Sequence, residues 1–423
     1  VTGNGVNGNG GKTNGTGARD AVVTGIGVVA PNGLGTDAYW DATRAGRSGL
    51  GVLARFDPSR YPVRVAGEVP GFSAAERVPG RLIPQTDHWT HLGLAAAEMA
   101  LADAAADPAG LPEYEMAVVT ASSSGGTEFG QREIERLWSR GPRAVGAYQS
   151  IAWFYAATTG QISIRHGMRG PCGVVATEQA GGLDALAQAR RLLRTGTRLV
   201  VTGGTDASLC PYGLTAQTAT GKLSTADDPA AAYRPFAADA AGYAPGEGGA
   251  MFVLEDAAHA AERGVAGYGR ITGYAATFDP PPGSGRPPTL ERAIRAALDD
   301  AGAAPAEVDA VFADAVADPE LDRAEAAALV AVFGPEGVPV TAPKTLTGRL
   351  YAGGASLDVA TALLALRDGL VPATAGDYPC PYPLDLVRGA PRALPLRRAL
   401  VVARGHGGFN AALVVETTEG ESR

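Results

Sequence analysis

Short apolar runs rich in Val, Ile and Ala alternate with longer stretches whose apolar residues recur at helical spacing, almost throughout the chain. Ala21–Val29 is a β-branched run stopped by the turn signal Pro31-Asn32-Gly33. The pattern then predicts helices over Asp37–Arg44 and Thr90–Ala106, a buried strand over Met116–Thr120, and helices over Thr127–Trp138 and Ser150–Ile164. A strand over Val174–Ala176 leads into a helix over Gln179–Arg194, and a strand over Arg198–Thr202 ends at Gly203-Gly204. The Pro/Gly-rich stretch Ala226–Gly249 precedes a strand-like run, Ala250–Glu255. Past Tyr268–Thr277 the alternation resumes with helices over Leu290–Ala301, Arg323–Phe333 and Gly353–Arg367 and strands over Val308–Ala313 and Val338–Thr341. Leu400–Arg404 and Ala412–Val415 read as a closing pair of strands. This alternation argues for an α/β architecture with largely parallel sheets covered on both faces. Residues 19–265 and 266–418 read as two versions of one layout.

Composition narrows the functional classes. Residues 1–18 are mostly Gly, Asn and Thr, too polar to offset their ordering entropy, so a disordered tail is expected there. A net charge of −8 provides no electrostatic footprint for nucleic acid or for an anionic membrane. No apolar run reaches membrane-spanning length. The cysteines, Cys172, Cys210 and Cys380, are too few and scattered for a disulfide framework or zinc site, which suits a reducing cytoplasm. His88, His91, His166 and His259 show no metal-ligand spacing.

The stretch Val174-Val175-Ala176-Thr177-Glu178-Gln179-Ala180-Gly181-Gly182 reads as a strand, a sharp turn of small residues and a helix start. A turn of this type can present a nucleophile, which needs a side chain such as Cys or Ser. Gln179 occupies the position, and its amide is neutral and not nucleophilic.

With Thr24–Gly33, Trp153-Phe154-Tyr155-Ala156, Gly160–Arg165, Glu178–Asp184, Pro245–Ala250 and Pro343–Arg349, the chain resembles the ketosynthase family, and within it the chain length factors of bacterial type II aromatic polyketide synthases. The resemblance covers about residues 20–415. It implies a thiolase fold, two similar βα halves in a layered αβαβα arrangement. It further implies an obligate heterodimer with a ketosynthase alpha subunit, substrates carried on the phosphopantetheine of an acyl carrier protein, no bound cofactor, and a poly-β-keto chain growing in a tunnel along the interface.

Active members carry a Cys and two His, assisted by a Lys. Here the Cys position is Gln179, the first His falls on Asp314 and the second on Arg349, and Lys344 alone is retained. His406 replaces the family's Phe before the final Gly pair. Asp314 has the wrong sign to stabilise an enolate, and Arg349 stays protonated and cannot act as a base. Asp314, Arg349 and Lys344 are therefore expected to form a buried ion cluster. Gln179 has two readings: its amide fills the emptied pocket by bonding Glu178, the backbone or water, or it polarises a malonyl thioester and aids decarboxylation, supplying an acetyl primer.

By the same resemblance Thr127–Trp138 is the helix that gates the tunnel, with Thr127, Gly130 and Ile134 on one face, and Tyr212 is another tunnel-lining position. Gly130 serves either close packing or an open tunnel; small residues at 127 and 130 imply a product longer than an octaketide. Arg190, Arg191, Arg194 and Arg198 form either a solvated helix face or a dock for the carrier protein. Trp153-Phe154-Tyr155 suits a core or a dimer interface.

Overall fold

The computed structural model describes residues 21–281 and 283–418. The expected tail over residues 1–18 lies outside them. Ten strands carry the architecture: β1 (Ala21–Ala30), β2 (Met116–Ala121), β3 (Cys172–Val175), β4 (Leu199–Asp206), β5 (Gly248–Asp256), β6 (Gly269–Phe278), β7 (Ala310–Phe312), β8 (Pro339–Thr341), β9 (Arg398–Arg404) and β10 (Phe409–Glu416). Outward from the β1–β6 pairing at the centre, one side runs β1-β5-β4-β2-β3 and the other β6-β10-β9-β7-β8. The second order is the first shifted by five strands, and pairing directions match: two antiparallel contacts, then two parallel ones. The layout is thus repeated, but the sheets are mixed rather than largely parallel. Part of the reason is local, since β9 and β10 are joined through Gly405-His406-Gly407-Gly408, and so short a connection allows only antiparallel pairing.

The helices include α1 (Thr36–Arg44), α2 (His88–Asp103), α3 (Thr127–Arg140), α4 (Gln149–Ala152), α5 (Ala157–His166), α6 (Gly181–Arg194), α7 (Pro211–Thr218), α8 (Leu290–Ala301), α9 (Pro319–Phe333) and α10 (Ala352–Asp368). α6 and α10 pack together between the two halves of the sheet, each touching strands of both. α10 is buried from Ala352 to Leu366, as a helix apolar on nearly all sides must be. α2 covers the outer face of one half and α8 that of the other, giving the layered αβαβα fold. The repeat extends to a close approach: a Cβ at Gly27 of β1 would lie 1.9 Å from the Ala96 carbonyl of α2, and one at Gly273 of β6 would lie 2.1 Å from the Ala297 carbonyl of α8.

Two local expectations are corrected. The single helix expected over Ser150–Ile164 is two, α4 and α5, interrupted at Trp153-Phe154-Tyr155-Ala156. The Trp153 carbonyl accepts from Gly126 N at 3.1 Å instead of continuing a helical ladder. Arg190 lies on no solvated face. It is buried, pairs with Asp300 at 2.5 Å and donates to the Thr272 carbonyl, tying α6 to the second half.

Candidate functional site

The turn after β3 has the sharp geometry its sequence suggests. Glu178 sits at φ 54°, a left-handed conformation that costs a non-glycine residue about 1–3 kcal/mol. Gln179 follows in a short 3₁₀ turn, Glu178–Ala180, which runs directly into α6. Opposite lies Tyr351, also left-handed at φ 51°, at the N-terminus of α10. The Gln179 amide bridges the two, with its nitrogen donating to the Tyr351 carbonyl at 2.9 Å and its oxygen accepting from Tyr351 N at 3.1 Å. Of the partners considered from the sequence, the backbone takes this side chain. Glu178 accepts from His406 N at 2.7 Å, tying the turn to the β9–β10 connection. Burial raises the Glu178 carboxyl, which Arg349 only partly offsets.

Asp314 and Arg349 come together as expected. Both are buried, and Arg349 Nη2 lies 3.0 Å from Asp314 Oδ1. Arg349 also donates to the Asp314 carbonyl at 2.7 Å and lies 5.3 Å from the Tyr243 ring centre. Burial alone would raise the Asp314 carboxyl; Arg349 first, then Lys344, hold it below its ordinary value. Lys344 acts on Asp314 only through space. Its ion-pair partner is Asp358 of α10, at 2.7 Å, a residue the sequence pattern gave no reason to single out. Glu325 of α9 is another, accepting from Asp314 N at 2.7 Å and Ala315 N at 2.9 Å. Where an acyl-transfer site would need a nucleophile and proton donors, this one holds an amide clasped to the backbone and paired charges.

Helix α3 is anchored by a carboxylate from elsewhere. Its N-cap, Gly126, has no side chain to offer. Asp87, the N-cap of α2, accepts from both Trp89 N and, at 2.6 Å, Phe129 N of α3. Thr127, in the first turn, lines a cavity of about 480 Å³ with Ser123, Tyr155, Glu178, Ser208, Tyr351 and His406 among others. Gly130, Ile134 and Tyr212 lie outside that cavity. A Cβ at Gly130 would meet nothing in the chain nearer than Gln149 Nε2 at 3.9 Å, so close packing is not what calls for glycine there. Ile134 is 45% exposed and Tyr212 53%, and Tyr212 N is held by Gln131 of α3 at 2.7 Å. A larger cavity, about 1050 Å³, opens between Phe278, Pro281, Arg286 and Thr289 on one side and α8 on the other, and shares no residue with this site.

Buried acids give the fold a pH signature. Burial pushes Asp87, Asp206 and Asp358 up to about 6 and Asp322 to about 7. These groups bind protons more readily folded than unfolded, so their contribution is complete below about pH 4 and is lost as pH rises through 6–7. Other groups act in the opposite sense, among them His91 and Glu247. Burial lowers His91 to about 4, and His88 and Arg55 outweigh burial at Glu247, bringing it to about 2. The raised acids outnumber the lowered histidines, His91 and His166, so the thermal midpoint is expected to be higher at pH 5.5 than at pH 8 and to fall below pH 4. A midpoint declining steadily from pH 8 to 5 would contradict this balance.

The description "Beta-ketoacyl synthase, N-terminal domain" matches residues 18–260, and "Beta-ketoacyl synthase, C-terminal domain" matches residues 268–376. The chain belongs to the beta-ketoacyl synthase family. It is 63% identical over 398 residues to the tetracenomycin polyketide synthase ketoacyl synthase beta subunit of Streptomyces glaucescens, covering 93% of this chain and 97% of that one. Identity to the alpha subunit of the same synthase is 33%, over 94% of this chain and 97% of that one. Within the family it is thus a ketosynthase beta subunit of the chain length factor type. The ishigamide ketosynthase/chain length factor superposes with a TM-score of 0.88 at 27% identity, covering 95% of this chain and all of that one. A type II ketosynthase bound to a hexaketide and complexed with its acyl-carrier protein superposes at 0.84 with 25% identity, over 95% of this chain and all of that one.

Proposed function

We propose that this chain is the non-condensing half of a ketosynthase heterodimer, and that with its alpha partner it encloses a tunnel whose length sets the length of the poly-β-keto product. The observation that carries the reading is a set of large apolar side chains left exposed on α3, the α4–α5 break, α5 and β3. Leu137 and Trp138 of α3, Trp153 and Phe154 of the α4–α5 break, Ile164 of α5 and Val174 of β3 are all exposed, Trp138 to 82% and Ile164 to 73%. β3 ends its sheet with an unpaired edge, to which a partner strand can add. Exposed apolar side chains beside an open strand edge suit an obligate interface. The gate helix α3 lies at its margin, which would place Thr127 and Gly130 beside the shared tunnel.

Small residues at both positions support a product longer than an octaketide. Carrier-protein-bound substrates and a cytoplasmic setting belong to the same proposal. The decarboxylase alternative gains no support from the geometry, because the Gln179 oxygen and one N–H are committed to Tyr351. The test is co-purification with a ketosynthase carrying the Cys and both His. Ile164→Glu is expected to weaken assembly at least tenfold, by placing a charge in an apolar interface. Undiminished assembly would remove this face from the interface.

A further inference from the structure

Two serines lining the cavity beside α3 carry hydroxyls that no described residue satisfies. Among the described residues Ser123 Oγ and Ser208 Oγ are buried without a protein hydrogen-bond partner, whereas the Thr127 side chain is within hydrogen-bonding reach of the Cys210 sulfur. All three residues line the cavity of about 480 Å³, and Ser208 is only 3% exposed. Buried hydroxyls without partners are uncommon because the lost solvation is not returned.

Their surroundings are, by contrast, closely bonded. Asp206, at 0% exposure, accepts from Ser122 Oγ, Ser123 N, Ser124 N and Ala352 N. The Ser208 carbonyl accepts from Gln217 Nε2 at 3.1 Å. The backbones of both serines are therefore fixed while their hydroxyls remain unpaired.

We propose that Ser123 and Ser208, flanked by Thr127, form a hydrogen-bonding subsite for the ketone oxygens of the chain in the tunnel and set the register in which it passes the gate. A poly-β-ketone carries an oxygen on every second carbon. A hydroxyl can donate to the ketone or accept from its enol, so one subsite serves both forms. A fully reduced acyl chain would leave the hydroxyls unpaired, and sites built to bond a polar group discriminate strongly against analogues lacking it. The inference rests on the reading of α3 as the tunnel gate.

The test uses the assembled heterodimer with malonyl-carrier protein, comparing Ser123→Ala, Ser208→Ala, the double variant and Gly130→Phe. In the serine variants the thermal midpoint is expected to hold or rise, while the share of full-length product falls at least fivefold in favour of shorter or aberrantly cyclised products. If Gly130→Phe shortens the product and the serine variants leave the profile unchanged, the subsite is overturned and the gate stands. If no variant alters the profile, both readings fall. Should the double variant not assemble, the single variants decide the question by the same criteria.

Discussion

Gly130→Phe, assembled with a condensing alpha subunit, is expected to shorten the principal product by one or more two-carbon units. The physical case begins with the helix. Glycine in a helix interior costs about 1 kcal/mol relative to alanine, so a side chain at position 130 should not harm α3. Nor does its first carbon crowd the described residues, the nearest being Gln149, 3.9 Å from a built Cβ. Thr127 shares the face three residues earlier and lines the cavity. A phenyl ring there would fill volume that the proposed tunnel uses, without disturbing the core. Assembly and thermal midpoint should therefore be maintained while product mass falls. An unchanged product from an intact heterodimer would show that α3 does not limit the chain.

The second large effect is on stability. Asp314→Ala is expected to destabilise the chain by about 3–5 kcal/mol, because the buried Arg349 guanidinium would lose its carboxylate. Lys344 and Asp358 form their own pair and cannot replace it. Replacing both members, Asp314→Leu with Arg349→Met, should recover most of the loss, since a buried pair exchanged for apolar residues of similar volume is often neutral. Denaturant titration of the single and double variants measures both. A single-variant cost below about 1 kcal/mol would mean that water reaches the guanidinium. A double variant as unstable as the single one would mean that Arg349 contributes mainly through Tyr243 and the Asp314 and Arg404 carbonyls.

The readable parts of the sequence were those governed by local rules. Ala21–Ala30 and Leu290–Ala301 follow their apolar periodicity almost residue for residue. The turn at Gln179 was legible because strand, small residues and helix follow one another directly. The Asp314–Arg349 pair followed from opposite charge. What stayed hidden depends on contacts distant in sequence. Asp358 pairs with Lys344 from within a helix whose sequence is mostly apolar, and Asp87 reaches forty-two residues along the chain to cap α3. The break at Trp153 follows from a bond to Gly126, which no periodicity encodes. Ser123 and Ser208 are ordinary serines until the fold buries their hydroxyls in one cavity.

These features describe a ketosynthase fold with Gln179, Asp314 and Arg349 buried in one region and apolar side chains left exposed on α3, α5 and β3. The most direct test is a partner exchange. This chain would be co-expressed with an alpha subunit whose native beta partner directs an octaketide, and the masses of the products compared. If the chain sets length, the exchanged pair will make a product longer than an octaketide. If the product remains an octaketide in an intact heterodimer, length resides in the alpha subunit and the account given for α3 is contradicted.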